Sequence, residues 1–405
     1  MRKIGILGGG QLGMLLAESI FRHGGSALIY DPDKDAPACR CASAVVNRSF
    51  TDMVALREFF SRCEAVTFEF ENVESAPLFT LEKMRPILPS VSVLRTAQDR
   101  ILEKTFFKES KLPHAAFATA KTMEQLAKAV RQLPMPIIVK TARGGYDGKG
   151  QWSINRHSEL KTLLEDQDLF RYEGSGFIVE RRINVEMEVS CIVGRSRAGE
   201  DLIYPIFENI HTEHILDYTI FPARLPASLC ERIQDIALDA ARKLDSFGLL
   251  CVEFFLSREA DPHSASIEHD GWHIYINEIA PRPHNSGHVT RAACTLSQFD
   301  VLARILLSIP LTQALGIGAG SHCMGNLLGD IWLAQGSDGS TELNLSSLSK
   351  FPEVVDVVIY GKKEARSKRK MGHFVTRAAD GDAALNVARA FRESLVPTKA
   401  SRRQG

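Results

Sequence analysis

Residues 136–152 read PIIVKTARGGYDGKGQW. An apolar β-type run, Pro136–Val139, ends on Lys140. A loop with Gly144, Gly145, Gly148 and Gly150 follows, and an extended pattern resumes at Gln151–Ile154. A glycine loop between two strands differs from one that opens a helix. In a P-loop, Gly-x-x-x-x-Gly-Lys-Ser/Thr leads into a helix whose N-terminus holds the phosphates. Here no Ser or Thr follows Lys149 and no helical pattern follows the loop. The stretch predicts a hairpin lid whose backbone N–H groups close over a polyphosphate, with Lys140 and Lys149 adding charge. An ordinary Gly-rich turn is the plainer alternative. Two lysines and the Tyr146-Asp147 pair in one loop argue against it.

Around this hairpin lies a chain of 405 residues, long enough for two or three domains. Apolar residues make up 44% and charged residues 24%, as in globular proteins. A formal net charge of +0 argues against a general nucleic-acid or membrane surface. The start, MRKIGILGGG, is neither a signal peptide nor a span, and no other apolar stretch is long enough to cross a bilayer. The 8 cysteines are scattered, mostly in apolar stretches, and read as buried thiols of a cytoplasmic protein. The close pair Cys39-x-Cys41 lacks further metal ligands nearby and is incidental.

Residues 2–95 alternate short apolar runs with helical patterns: strands at Lys3–Leu7, Ser26–Tyr30, Ala65–Phe70 and Ile87–Pro89, and a helix at Gln11–His23. This is the rhythm of a doubly wound parallel sheet. Residues 96–130 read as helical, broken at Leu112-Pro113, and 177–224 as strand-rich. A long helix over Ala227–Phe247 precedes strands at Leu249–Leu256 and Trp272–Glu278, and Leu296–Ile309 reads as helix. The glycines of 316–321 suggest a boundary.

Gly8-x-Gly10-x-x-Gly13 follows a strand and opens a helix, and Asp31 ends the next strand. Alone this predicts a nicotinamide oxidoreductase. Such an enzyme leaves the lid and the acids downstream unexplained, so the glycine turn, with Gly10, Gln11 and Leu12, reads as an anion cradle for substrate. Glu253 and Glu278 each sit in an otherwise apolar strand, where a carboxylate is costly unless paired or bound to a cation. If the strands pair, both acids share one face and hold Mg²⁺ against phosphate oxygens. Asn277, as the neighbour of Glu278, would point the other way unless the strand ends or twists. Directly after comes APRPHNSGH, residues 280–288. Prolines stiffen the backbone around Arg282, whose fork suits a planar oxyanion such as bicarbonate, and His284, Asn285 and Ser286 add donors.

GGGQLG, the lid, the acid strands and PRPHNSGH, in this order, resemble the ATP-grasp superfamily and, within it, the N5-carboxyaminoimidazole ribonucleotide synthetases of purine biosynthesis. The resemblance spans roughly residues 1–390. It implies an α/β fold of three parts. These are an N-terminal Rossmann-like parallel sheet domain (1–98), a central two-lobed ATP-grasp domain forming an α+β clamp (99–312), and a small β-rich C-terminal domain (313–393) before a tail (394–405). It implies an ATP-dependent carbon–nitrogen ligase, a homodimer, one or two Mg²⁺ ions, bicarbonate as co-substrate and no NAD. By matching position, Arg100, Lys140 and the lid residues Gly145, Tyr146, Asp147, Gly148, Lys149, Gly150 and Gln151 would meet ATP. So would Glu180, Arg181, Arg182, Ile183, Glu188, His211, Asn277 and Glu278. Metal would go to Glu253 and Glu278. Tyr146, Asp147, Lys149 and Glu71 would face the ribonucleotide, with Lys363, Arg369 and Lys370 on its phosphate. Asp147, Lys149, Arg282, His284 and Asn285 would serve the chemistry. Met14 stands where many relatives carry a basic residue. A formate-dependent glycinamide ribonucleotide transformylase shares the clamp and differs at the acceptor.

Overall fold

A computed structural model describes residues 1–145, 150–311, 315–336 and 342–396. In it the strands Ile137–Thr141 and Gln151–Ile154 pair antiparallel, with Lys140 opposite Gln151. Ile137, Val139 and Thr141 are buried while Ile138 and Lys140 are half-buried, the alternation of a strand with one face on a core. Gly150 ends the hairpin loop at φ +71°, and a Cβ there would lie 2.8 Å from the Thr141 hydroxyl, so both backbone and space demand glycine. Phe177–Arg181 and Phe117–Ala120 complete a four-stranded small-lobe sheet. The latter strand interrupts the stretch 96–130 that reads as helical. Phe-Ala-Thr-Ala has no alternation to reveal it; pairing with Phe177–Arg181 makes it a strand. Helices Val91–Gln98, Arg100–Glu109 and Met123–Gln132 flank it.

The N-terminal sheet runs Ala44–Val46, Ser26–Tyr30, Lys3–Leu7, Ala65–Phe68, all parallel. The expected strand at Ile87–Pro89 reduces to a single bridge between Ile87 and Val66, since Pro89 has no N–H to extend a ladder. The strand expected to reach Phe70 stops at Phe68, and Glu69 turns toward the glycine loop.

A ten-stranded sheet forms the large lobe. Its path runs Ile267–His269, Trp272–Ala280, Gly248–Ser257, Met187–Arg195, Phe207–Thr212, Ile215–Phe221, Ser321–Leu328, Lys370–Ala378, Val354–Ile359, with Asp201–Ile203 beside Met187–Arg195. The C-terminal strands thus extend the central sheet through the pairing of Ile215–Phe221 with Ser321–Leu328. Helix Ala227–Lys243 buries Ile233, Ile236, Ala237 and Ala240 in the apolar cluster on this sheet. Helix Gln298–Leu307 starts at a Ser297/Asp300 capping box and joins a core shared with helix Gln11–Arg22. Asp300 also meets Arg22 at 3.2 Å and His23 at 3.3 Å. The N-terminal sheet is thereby fixed over the large lobe, with the carboxyl ends of its strands toward the cleft, where α/β sheets bind ligands. Among the described residues no helix is long and apolar enough to cross a membrane.

Candidate active site

One cavity of about 870 Å³ opens between the lobes and the N-terminal sheet. Gly145, Gly150 and Gln151 of the lid line it together with Lys140, Glu253, Asn277 and Glu278. Gln11, Leu12 and Glu71 reach it from the N-terminal domain, and Lys370 from the C-terminal strands. Tyr146, Asp147, Gly148 and Lys149 lie outside the described residues.

Glu253 and Glu278 stand directly opposite each other on the adjacent strands Gly248–Ser257 and Trp272–Ala280. Opposed residues of an antiparallel pair project to the same face. The ladder then slips: Phe254 pairs with Ile276, so Asn277 is the extra residue of a β-bulge. The bulge explains how neighbours in sequence, Asn277 and Glu278, both line the cavity. Burial raises the Glu278 pKa, and the Glu253 charge raises it further. Burial pushes Glu253 up as well, but the His284 imidazole at 3.1 Å, with His211 and Arg282, outweighs it and holds the carboxyl below its ordinary range. Two half-buried carboxylates on one face favour a cation between them. Among the described residues no three His, Cys, Asp or Glu gather as a closed metal cage. Two acids that leave coordination positions to phosphate oxygens and water fit magnesium.

On the small lobe, buried Glu180 receives Lys140 at 3.1 Å and Lys104 at 3.8 Å. Burial alone would raise its pKa; the two ammonium groups reverse that and bring it to about 2. Arg100 donates to the carbonyls of Thr141 and Gly145 at 3.1 and 2.9 Å, tying the lid's entry to the start of its helix. Arg181 meets Asp261 at 2.6 Å and the Pro134 carbonyl at 2.7 Å. With Arg182 and Ile183 it lines the cavity where the lobes meet. Glu188 and His211 pair at 3.0 Å. Burial works against the charged imidazole, but Glu188 overcomes it and the His211 pKa rises.

In the PRPHNSGH segment, Arg282 Nε lies 3.1 Å from Glu71 of the N-terminal domain. His284 spans Glu253, through Nε2, and the Ser286 hydroxyl, 2.8 Å from Nδ1. The Asn285 amide nitrogen is buried with no protein partner. The two strand acids, the Arg282 fork and the unpartnered Asn285 amide therefore face one cavity.

Three family models match the chain: a ribonucleotide synthetase preATP-grasp domain over residues 1–98, an ATP-grasp domain over 105–299, and a phosphoribosylaminoimidazole carboxylase C-terminal domain over 322–386. The N5-carboxyaminoimidazole ribonucleotide synthase of Bacillus subtilis is 34% identical over 373 residues, 91% of this chain and 90% of that protein. The chain belongs to the N5-carboxyaminoimidazole ribonucleotide synthase family. The Staphylococcus epidermidis synthase is 33% identical over 93% of this chain and 92% of its own length. Among solved structures, the Staphylococcus aureus synthetase with ADP superposes with a TM-score of 0.83 at 31% identity, covering 96% of this chain and 97% of that one. The Aspergillus clavatus synthase with ADP and 5-aminoimidazole ribonucleotide also gives 0.83, at 29% identity over 97% and 98% of the two chains.

Two features of this synthase-family chain differ from the sequence reading. The glycine turn is not an open anion cradle. Glu69 accepts from the amides of Gly10 and Gly13 at 3.0 and 3.3 Å, and Asp31 accepts from Gly9 at 2.6 Å. Two side-chain carboxylates already satisfy the amides that a pyrophosphate would use. A Cβ on Gly10 would lie 2.5 Å from the Glu69 carboxylate, so glycine here serves an internal contact. Gln11 and Leu12 line the cavity; Gly10 does not. Second, of the expected phosphate contacts only Lys370 lines the cavity. Lys363 pairs with Asp35, and Arg369 donates to the Glu364 carbonyl.

Sequence reasoning passed over Glu103 and Lys104, which are buried beside the acids. The available signal was positional: both lie one turn before buried Phe107, on the core face of their helix.

Proposed function

We propose that this protein carries out its family's reaction, the ATP-dependent carboxylation of 5-aminoimidazole ribonucleotide to the N5-carbamate in purine biosynthesis, with bicarbonate as the carbon source. The observation that carries this reading is the convergence of the lid flanks, the two strand acids and the PRPHNSGH segment on one cavity. Bicarbonate is a poor electrophile. Phosphoryl transfer from ATP converts it to carboxyphosphate, whose carbon bears a good leaving group; attack by the exocyclic amine forms the C–N bond and releases phosphate. Glu253 and Glu278 would hold magnesium, which when bound would supply charge neutralisation for phosphoryl transfer. Lys140 adds a cation to the phosphates, and the lid amides would donate hydrogen bonds to them on closure. Arg282, freed from Glu71, would fork bicarbonate, with Asn285 donating beside it. A closed lid would keep water from the intermediate. Asp147 would take the proton lost by the amine.

ADP release should require both bicarbonate and 5-aminoimidazole ribonucleotide, with no change in nicotinamide absorbance, in a coupled assay. Release triggered by formate and glycinamide ribonucleotide would overturn the acceptor assignment. Asp147→Asn should bind ATP normally and form carbamate about 100-fold more slowly, the usual scale for a lost general base. Near-normal turnover would remove Asp147 from the chemistry.

We also read the protein as a cytoplasmic homodimer, on the family's organisation. All eight cysteines are free, four of them buried, which suits a reducing compartment. Light scattering should give twice the 44.8 kDa chain mass.

A further inference from the structure

Where its acid projects, the strand carrying Glu278 has a strand partner on its inner side only. Its outer neighbour, Ile267–His269, pairs with it no further along than Ile274. Its inner ladder is broken by the Asn277 bulge. Other groups take the backbone over this interval. The Pro113 carbonyl accepts from the Ile276 amide at 2.9 Å. Lys104 Nζ donates to the Asn277 carbonyl at 2.6 Å. Glu103 Oε1 accepts from the Ile279 amide at 2.7 Å. Glu278 lies between the last two contacts, which come from consecutive residues of the helix Arg100–Glu109.

Glu103 and Lys104 are 2% and 1% exposed. Burying such ionisable groups is costly, and burial disfavours the charged form of each; well-packed apolar side chains in their place are often no less stable. Stability alone therefore gives no reason for this pair. It supplies two short, directional bonds, one to a carbonyl before the acid and one to an amide after it. Lys104 also lies 3.8 Å from Glu180, so the contact reaches the small lobe.

We propose that Glu103 and Lys104 form a backbone clamp that holds the Asn277 bulge in place and so aims the Glu278 carboxylate at the same point as Glu253. They are positioning residues, acting on the acid pair through the main chain. The clamp rests on the reading of Glu253 and Glu278 as the magnesium acids.

Calorimetric titration of the full chain with ADP, once in excess magnesium and once in EDTA, tests it without turnover. Glu103→Leu leaves the Ile279 amide without an acceptor. It should weaken ADP binding in magnesium about 10- to 100-fold, the usual cost of losing a partner that orients a metal ligand, and leave binding in EDTA within about threefold. Glu103→Gln keeps an acceptor oxygen and should stay within about threefold of the parent in both conditions. Lys104→Met, the alternative if the leucine variant does not fold, should lower the ratio of the two affinities about tenfold. Equal losses with and without magnesium, no loss at all, or a glutamine variant as damaged as the leucine one would each overturn the clamp. A parent protein whose ADP affinity ignores magnesium would instead remove the metal reading on which the clamp rests.

Discussion

Glu278→Gln is expected to lower ATP turnover about 1,000-fold while leaving the melting temperature of the metal-free protein equal to or above that of the parent. The two halves of this result have one cause. Glu278 faces Glu253 across an antiparallel pair, in a buried setting that disfavours its charge, and the neighbouring carboxylate disfavours it further. Without a cation the ionised pair is a source of strain in the fold, and a neutral isostere relieves it. On the proposed reading, Glu278 would help hold magnesium with nucleotide present, and its charge would then serve the transferring phosphoryl group. Removing one preorganised charge from such a site costs several kcal/mol of barrier. Coupled ADP release and thermal melting of the two proteins provide the check. Turnover within about tenfold of the parent would place the cation elsewhere. A large drop in melting temperature would mean that Glu278 is a structural acid paired within the fold.

The hairpin was legible because its signal is local: two β-type runs bracketing glycines, with lysine at the end of the first. The two strand acids were legible for a similar reason, since a lone carboxylate in an apolar strand is anomalous on inspection. Their shared face was legible only on condition that the strands pair. It depends on register, and the bulge at Asn277 that brings two sequence neighbours into one cavity is a property of the paired strands. The glycine turn shows the opposite failure. Its pattern is local and was read as an open cradle, but the groups that fill it, Asp31 and Glu69, arrive from the ends of two other strands. Glu69 was visible in Thr67-Phe-Glu-Phe-Glu71, yet nothing in that run says which of its acids turns back to the glycines and which meets Arg282. The basic run near residue 370 is similar. Its charge alone reads as a solvated turn and the family resemblance marks it, and only tertiary placement separates Lys370, at the cavity, from Lys363, on Asp35.

Lowering the pH from 8 to 5 is expected to remove about 4 kcal/mol of folding stability through two histidines, and His288→Phe should recover about half of that loss. His288, from the PRPHNSGH segment, and His373, from the strand Lys370–Ala378, are buried and stacked with ring centroids 4.5 Å apart. Phe299 stacks on the far side of His288 at 5.7 Å. Neither ring nitrogen of His288 has a protein hydrogen-bond partner, while His373 Nδ1 meets the Tyr360 hydroxyl at 2.9 Å. Burial depresses both pKa values, that of His373 to about 3 and that of His288 well below 6.5; for His288 the adjacent His373 adds to the effect. Both rings are therefore neutral in the folded protein at pH 5, whereas in the unfolded chain each binds a proton below its ordinary value of 6.5. The unfolded state takes up more protons, so the stability they contribute is complete above that value and is lost as the pH falls. At pH 5 the interval is about 1.5 units, or about 2 kcal/mol for each ring. Phenylalanine keeps the shape that packs between Phe299 and His373 but binds no proton, so one of the two contributions disappears. Urea unfolding followed by circular dichroism at pH 8 and pH 5 reads the difference directly. A variant that loses as much stability as the parent over this range would show that the His288 ring already carries its proton in the folded protein. The stack would then have to hold a buried cation.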